Sequence, residues 1–402
     1  MNKNITDVRG FKAWGAHIGI KSKRRDLALI VSEVPASAGA VFTTNQVVAA
    51  PVIVTRKHLT DGCAQAIVVT SGNANACTGA EGLKAAETVA KTYAKELSIR
   101  VKDVVVSSTG VIGERYPVEK AIEGIRANTE KLSGRNVAGA MAANAIMTTD
   151  TFQKEAFRSF EIDGKTINLG GIAKGSGMIH PNMATMLSFL VCDADIEPEM
   201  LQKALSKAVE RSFNMISVDG DTSTNDMVVI LSNGLAKNRR IKRNDGNYRI
   251  FLEQLELICK ELAKSIVSDG EGATKFIEYQ VVNAKTECGA RKIIRTVSDS
   301  NLVKTAIFGR DPNWGRIVAA AGRAGVKINP NKLDVYVGNL KGLIMVAKDG
   351  GYTRFNRTRL KKMMKSSQIK IVIDLNQGKA QSVGWGTDFS YEYVRINAEY
   401  TT

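Results

Sequence analysis

Residues 174–186 read KGSGMIHPNMATM and join a glycine-rich segment to an apolar run. The run from Thr185 to Asp193 alternates poorly between apolar and polar side chains, which is typical of a central strand buried on both faces. Glycine tolerates positive φ angles and allows another chain or a ligand to approach the backbone. The sequence therefore predicts that residues 168–178 form a loop leading into this strand. The glycines ahead of the strand are Gly164, Gly170, Gly171, Gly175 and Gly177.

Short runs typical of strands alternate with helical patterns on both sides of this segment. This alternation predicts an α/β (α+β) fold in which layered sheets are flanked by helices. Runs rich in Val and Ile predict strands at 27–34, 66–70, 101–107, 227–231, 276–284, 333–337 and 369–375. Helical patterns predict helices at 80–97, 117–127, 134–147, 200–212 and 248–267.

Thr185 offers a specific chemistry, although a threonine at the start of a strand is ordinarily just a strand former. Cleavage of the peptide bond before it would create an α-amino group beside its own hydroxyl, so that one residue carries both nucleophile and base. The reference pKa of an α-amine is near 8, which suits a base at neutral pH. The sequence leaves both interpretations open at this point.

A second glycine-containing segment, Val106 to Gly113, is predicted to be a turn that follows a buried strand. Turns of this kind can present a hydroxyl and a backbone N–H to a developing oxyanion, which is a large contribution in acyl transfer. A connection between a strand and a helix with no catalytic role would have the same sequence pattern.

Composition limits the class of protein. The chain has 402 residues, a hydrophobic share of 44% and seven prolines, which excludes disordered, collagenous and small disulfide-rich classes. Five widely spaced cysteines without a C-x-x-C pair indicate a reducing compartment and argue against a zinc site. The first 23 residues are polar and interrupted by glycines, so no signal peptide is predicted and a cytoplasmic location is expected.

The sequence resembles the glutamate N-acetyltransferase family of arginine biosynthesis, also called ornithine acetyltransferases. Residues 174–186 resemble the self-cleavage region of that family. Further segments resemble it in the same order along nearly the whole chain: 71–76 (SGNANA), 108–113 (STGVIG), 218–226 (VDGDTSTND), 309–316 (GRDPNWGR) and 396–402 (INAEYTT).

The resemblance implies a precursor with the ornithine-acetyltransferase and aminopeptidase-like self-processing fold. Cleavage between Ala184 and Thr185 would give an alpha chain of residues 1–184 and a beta chain of residues 185–402 that remain intertwined. Thr185 would then take the acetyl group from N-acetyl-L-ornithine as an ester and pass it to L-glutamate in a ping-pong reaction. Whether acetyl-CoA also donates acetyl is left open.

The resemblance also assigns roles residue by residue. Thr109 and Gly110 match the pair that stabilises the oxyanion. The expected substrate contacts are Thr148, Lys174, Thr185, Glu271, Asn397 and Thr402. The family gives the aspartates within 218–226 a structural role in a turn.

For partners, the resemblance implies small-molecule substrates and an assembly of two alpha and two beta chains. No metal, no tightly bound cofactor, no nucleic acid and no membrane are expected. A lysine such as Lys174 could neutralise a substrate carboxylate, and Glu271 could pair with an ammonium group.

Two other functions compete with acetyl transfer. A hydrolase or aminopeptidase would use the same N-terminal threonine with water as the acceptor. Nucleic-acid binding is suggested by the net charge of +16 and by basic clusters at 237–243 and 354–365. Neither cluster contains the interleaved aromatic residues of a base-stacking surface, so solvated charged faces are the simpler interpretation.

Overall fold

The computed structural model describes residues 3–180 and 186–399. These residues form two mixed β-sheets with helices packed on them, so the predicted α/β fold class is confirmed. Among the described residues, no helix is both long enough and apolar enough to cross a membrane.

The strands are numbered in chain order. They are β1 (Phe11–Ala16), β2 (Leu27–Phe42), β3 (Cys63–Asn73), β4 (Val104–Val111), β5 (Lys154–Ile162), β6 (Lys165–Lys174), β7 (Leu187–Cys192), β8 (Ile216–Ser217), β9 (Met227–Ser232), β10 (Phe276–Ala284), β11 (Asp334–Asn339), β12 (Gly342–Lys348), β13 (Gly351–Tyr352), β14 (Gln368–Asp374) and β15 (Ala380–Thr387).

Most of the helices are amphipathic and bury one face against a sheet. They are α1 (Ala50–His58), α2 (Gly79–Leu97), α3 (Val118–Asn128), α4 (Asn136–Ala145), α5 (Pro198–Glu210), α6 (Gly246–Ser268), α7 (Glu287–Ser298), α8 (Asn301–Phe308), α9 (Trp314–Gly322), α10 (Arg357–Met363) and α11 (Tyr391–Glu399).

The first sheet has the strand order β4-β3-β2-β9-β7-β6-β5, and β1 pairs with β2 beside this path. Strand β7 lies between β6, which is antiparallel to it, and β9, which is parallel to it. All six residues of β7 are buried, which confirms the prediction of a central strand. The chain that follows residue 185 therefore enters the middle of the sheet.

The second sheet has the order β13-β12-β11-β14-β10-β15-β8. Its interior strand β10 pairs in parallel with β14 and antiparallel with β15. Most of this sheet comes from the last third of the chain, whereas the first sheet mixes strands from before and after residue 185.

Helix α6 lies between the two sheets, and α5 packs on α6 and on β2 of the first sheet. Gly171 of β6 leaves room for Leu262 of α6, because a Cβ on that glycine would lie 2.9 Å from a methyl carbon of the leucine. On the other side, the ammonium of Lys264 lies 4.9 Å from the ring centre of Trp385 in β15. One helix layer therefore contacts both sheets, while α2 and α3 pack on the far side of the first sheet.

The prediction of a loop over 168–178 is wrong for its first part. Strand β6 extends to Lys174, and Gly170 and Gly171 lie within it. A Cβ on Gly170 would lie 2.9 Å from the Cα of Ile5, so this glycine is needed for close packing. Only the segment that begins at Gly175 leaves the sheet, and Gly164 lies in the turn between β5 and β6 with a φ of +70°.

Candidate active site

Two glycines allow strands β3 and β4 to approach closely at their carboxyl ends. Gly72 pairs with Gly110, and their φ angles are +111° and +133°. A Cβ on Gly110 would lie 2.3 Å from the carbonyl carbon of Gly72, so only glycine fits there. The turn predicted over Val106 to Gly113 is wrong for its first part, because β4 continues through Thr109 and Gly110 to Val111.

Lys174 ends β6 and reaches the same edge. Its Nζ donates a hydrogen bond to Thr109 Oγ1 at 3.4 Å, and the residue is only 3% exposed. Burial lowers the pKa of Lys174, while the carboxylates of Asp150, Asp226 and Glu271 partly offset this effect. The structure thus brings a buried cation to the hydroxyl that was predicted to stabilise the oxyanion.

A buried ion triad holds the chain around Lys174. Lys154 Nζ lies 2.6 Å from Asp150 Oδ1 and 2.6 Å from Asp269 Oδ2. Asp150 also accepts hydrogen bonds from the backbone N–H groups of Thr148 at 2.9 Å and Gly175 at 2.7 Å. Burial alone would raise the pKa of Asp150, but the two lysines and the Gly175 N–H hold it at about 2. Thr148 and the glycine loop are therefore fixed to one carboxylate.

Glu271 and Asn397, which the sequence predicted to contact substrate, lie together. Asn397 Nδ2 donates to Glu271 Oε2 at 3.0 Å, and the backbone N–H of Glu271 donates to the carbonyl of Ser176 at 3.1 Å. A Cβ on Gly177 would lie 2.3 Å from Glu271 Oε2. The carboxylate therefore rests directly against the backbone of the loop that follows Lys174.

Asp219 organises the chain before residue 181. Its carboxylate accepts the backbone N–H groups of Met178 at 2.6 Å and Ile179 at 2.8 Å, and the hydroxyl of Tyr393 donates to it at 3.2 Å. Burial raises the pKa of Asp219 to about 6. These contacts fit the structural turn role that was expected of this segment.

Asp226 holds the chain after residue 185. It immediately precedes β9, and its Oδ1 accepts the backbone N–H of Met186 at 2.9 Å. The residue is 1% exposed, and burial raises its pKa well above the ordinary value of an aspartate. Together, Asp219 and Asp226 hold the backbone at residues 178–179 and at residue 186.

Three of the segments that carried the family resemblance meet in space. Asn225 Nδ2 donates to the carbonyl of Ala74 at 2.6 Å and to that of Ser108 at 2.9 Å. Ser108 Oγ donates to the carbonyl of Ala74 at 2.6 Å. One amide side chain therefore connects the segments 71–76, 108–113 and 218–226 around the strand ends.

Three residues named from the sequence lie outside the described residues. They are Ala184 and Thr185, at the predicted cleavage position, and Thr402. The remaining predicted site residues, Thr109, Gly110, Thr148, Lys174, Glu271 and Asn397, lie around the chain ends that flank residues 181–185.

Sequence reasoning missed two cations near the site. Lys21 Nζ donates to the carbonyl of Met147 at 2.8 Å, and burial lowers its pKa to about 8. Arg24 Nη1 donates to the carbonyls of Thr148 and Asp150, each at 3.4 Å. Both lie in a segment without periodicity or a recognisable motif, so no local signal marked them.

The basic cluster at 237–243 is largely paired with carboxylates. Arg240 lies 3.6 Å from Asp195, and Lys242 lies 3.8 Å from Glu197. Pairing of this kind leaves less free positive charge for a phosphate backbone.

Among the residues with defined positions, no group of three or more His, Cys, Asp or Glu side chains could hold a metal ion.

The arrangement is suited to an amino-acid substrate. A buried lysine ammonium and a carboxylate paired with an amide lie on either side of the same short loop, so a zwitterion could place its carboxylate near one and its ammonium near the other. A threonine hydroxyl lies beside the cation, where negative charge on a carbonyl oxygen could be stabilised.

Comparisons with known proteins match this chain along nearly its whole length. The model of the ArgJ family matches residues 12–402. A protein of Caldanaerobacter subterraneus subsp. tengcongensis named arginine biosynthesis bifunctional protein ArgJ is 49% identical over 394 residues, covering 98% of this chain and 97% of that protein. A protein of Thermotoga neapolitana with the same name is 49% identical over 397 residues, covering 98% and 99%.

Among solved structures, an ornithine acetyltransferase from Mycobacterium tuberculosis complexed with ornithine is 38% identical. The match covers 44% of this chain and 95% of that chain, with a TM-score of 0.41.

Proposed function

The chain belongs to the ArgJ family, and from that membership we propose how its site carries out the family reaction. It is an acetyltransferase of arginine biosynthesis, a glutamate N-acetyltransferase that moves the acetyl group from N-acetyl-L-ornithine to L-glutamate. The observation that best supports the assignment of the site is the hydrogen bond between Lys174 and Thr109. It joins the predicted substrate cation to the predicted oxyanion hydroxyl.

The precursor cleaves itself between Ala184 and Thr185, giving pieces of 184 and 218 residues. Asp219 and Asp226 support this proposal because they hold the chain on both sides of the cleavage position, at residues 178–179 and 186. The pieces remain associated, since β6 of the first piece pairs with β7 of the second inside one sheet.

In the first half-reaction, the α-amine of Thr185 takes the proton from its own hydroxyl. The oxygen attacks the acetyl carbonyl carbon, and Thr109 and Gly110 stabilise the oxyanion that forms. The carbon–nitrogen bond then breaks, and the proton moves to the departing amine of ornithine. An acetyl ester on Thr185 remains.

In the second half-reaction, the amine of glutamate attacks the ester, and the hydroxyl of Thr185 recovers its proton. Lys174 neutralises the α-carboxylate of either amino acid, and Thr148 and Thr402 add hydrogen bonds to the substrate. Glu271, oriented by Asn397, receives the side-chain ammonium of ornithine. Acetyl-CoA serves as a second acetyl donor to the same threonine.

The assembly contains two alpha and two beta chains and works in the cytoplasm. All five cysteines are unpaired, and Cys77 and Cys288 are exposed, which suits a reducing compartment. The mass of the purified assembly in solution tests its stoichiometry.

Intact-mass measurement of the purified protein beside Thr185→Ala tests the mechanism. We expect two fragments and active enzyme from the former, and one uncut, inactive chain from the latter. Thr166→Ala, at an exposed strand position, is the matched control and should be cleaved and active. Uncut wild type with full activity would contradict the mechanism.

The acceptor is tested separately. Acetyl transfer predicts that N-acetylornithine is consumed steadily only when glutamate is present. Steady release of acetate at the same rate without glutamate would indicate a hydrolase instead.

A further inference from the structure

A groove lined by cations lies beside the candidate active site. It has a volume of about 540 Å³, and we call it the cationic groove. Its polar and aromatic lining comes from Trp14, His17, Lys23, Arg24, Arg25, Asn128 and Asn144, and the described lining contains no carboxylate. A groove with this charge selects anionic ligands.

Two cations of the groove, Lys23 and Arg25, are free to bind a ligand. Lys23 and Arg25 are exposed, and neither makes an ion pair or hydrogen bond with the described residues. By contrast, the groove around Arg211 also contains Glu256 and Glu287, which pair with that arginine at 3.0 and 3.2 Å. The cationic groove therefore holds positive charge that the protein itself does not neutralise.

The floor of the groove is rigid. Gly15 of β1 packs against α4 so closely that a Cβ would lie 2.0 Å from the carbonyl oxygen of Met141. Trp14 Nε1 donates to Asn128 Oδ1 at 3.3 Å, which fixes the indole ring. Aromatic rings stack on nucleotide bases, so the groove offers both a stacking surface and cations for phosphates.

The groove leads to the reacting centre. Arg24 lines it and also contacts the carbonyl of Thr148, while Lys21, three residues earlier, lies against Gly72. A Cβ on Gly72 would be 2.8 Å from Lys21 Cγ, and Gly72 pairs with Gly110. Three residues of chain span at most about 11 Å between Cα atoms, so the groove lies within a short distance of the proposed oxyanion pair.

We propose that the cationic groove binds the phosphate-bearing nucleotide end of the acyl thioester donor. The inference rests on the proposed function, which uses acetyl-CoA. The phosphates lie against Lys23, Arg24 and Arg25, the base stacks on Trp14, and the thioester end extends past Lys21 to Thr185. There the carbon–sulfur bond breaks as the ester bond forms, and the hydroxyl proton leaves with the thiol.

The double variant Lys23→Glu, Arg25→Glu tests the site by titration calorimetry with coenzyme A. We expect the Kd for coenzyme A to rise at least tenfold, because two charge-assisted contacts become repulsive. The KM for acetyl-CoA should rise relative to the KM for N-acetylornithine, which lacks phosphates. Lys361→Glu, Lys362→Glu reverses two exposed charges in α10 and should leave the Kd unchanged.

The outcomes distinguish a failure of this inference from a failure of the proposed function. Equal Kd values for wild type and the groove variant would overturn the inference, as would a wild type that transfers acetyl from N-acetylornithine but does not bind coenzyme A. Single-stranded RNA that binds the groove in place of coenzyme A would also overturn it. A wild type that transfers acetyl from neither donor would refute the proposed function itself. Thermal unfolding midpoints confirm that each variant is folded.

Discussion

The substitution Gly177→Ala tests the proposed role of Glu271 without altering its chemistry. The new methyl group would lie 2.3 to 2.5 Å from the carboxyl oxygens and carbon of Glu271. Such atoms need more than 3.0 Å, so the carboxylate must move by roughly 1 Å. The Glu271 side chain is more flexible than the backbone at residue 177, so the side chain moves first.

A displacement of this size has a calculable cost. Misplacing a substrate-positioning group by 1 Å can lower the rate by about 100-fold, which corresponds to about 2.7 kcal/mol. The hydrogen bond from Asn397 to Glu271 is exposed, so its loss should change the free energy of unfolding by less than about 1 kcal/mol. We expect a large loss of kcat/KM with little loss of stability.

The assay is the kcat/KM for N-acetylornithine at saturating glutamate, with intact mass confirming cleavage and a thermal midpoint confirming the fold. Gly246→Ala is the matched control, because a Cβ there meets no atom within 4 Å. If folded and cleaved Gly177→Ala keeps its kcat/KM within twofold of wild type, then Glu271 does not position the substrate as proposed.

Two further variants probe the buried charges. Lys154→Met leaves Asp150 and Asp269 buried without their shared cation, so we expect the free energy of unfolding to fall by about 3 to 5 kcal/mol. Urea unfolding measures this free energy, and Lys361→Met is the exposed control. A decrease of less than about 1 kcal/mol would show that the ion triad is unimportant for stability. Burial raises the folded-state pKa of Asp219 to about 6. The contribution of Asp219 to the free energy of unfolding is therefore most favourable below pH 4 and is lost as the pH rises through 6. Between pH 4 and 7, wild type should therefore lose about 2 kcal/mol of stability relative to Asp219→Asn, and parallel stability curves for the two proteins would contradict this.

Local patterns predicted many of the elements well. The strand 276–284 matches β10 (Phe276–Ala284), and the helix 80–97 matches α2 (Gly79–Leu97) within one residue. Both have strong periodicity and clear ends, which is where pattern reasoning works best. Strand β6 was missed because Gly170 and Gly171 suggested a loop, whereas both lie in the sheet and pack against Ile5 and Leu190.

Some residues of the candidate site were likewise predicted from the sequence, and others were not. Thr109, Lys174, Glu271 and Asn397 were named from motif resemblance, and the structure brings Lys174 to Thr109 and Asn397 to Glu271. Lys154 carried no signal, because an isolated lysine is ordinarily a solvated surface charge.

By itself the sequence determined the fold class, the family and the positions of the motifs, because hydrophobic periodicity and residue order are properties of the chain. Only the tertiary structure decided that Lys154 lies between Asp150 and Asp269, and that Asp226 holds Met186. It also decided that exposed cations line a groove beside Thr148. These contacts join residues that are up to 124 positions apart. Their distances and burial depend on which strands become neighbours in the sheet and on how closely the glycines let them pack.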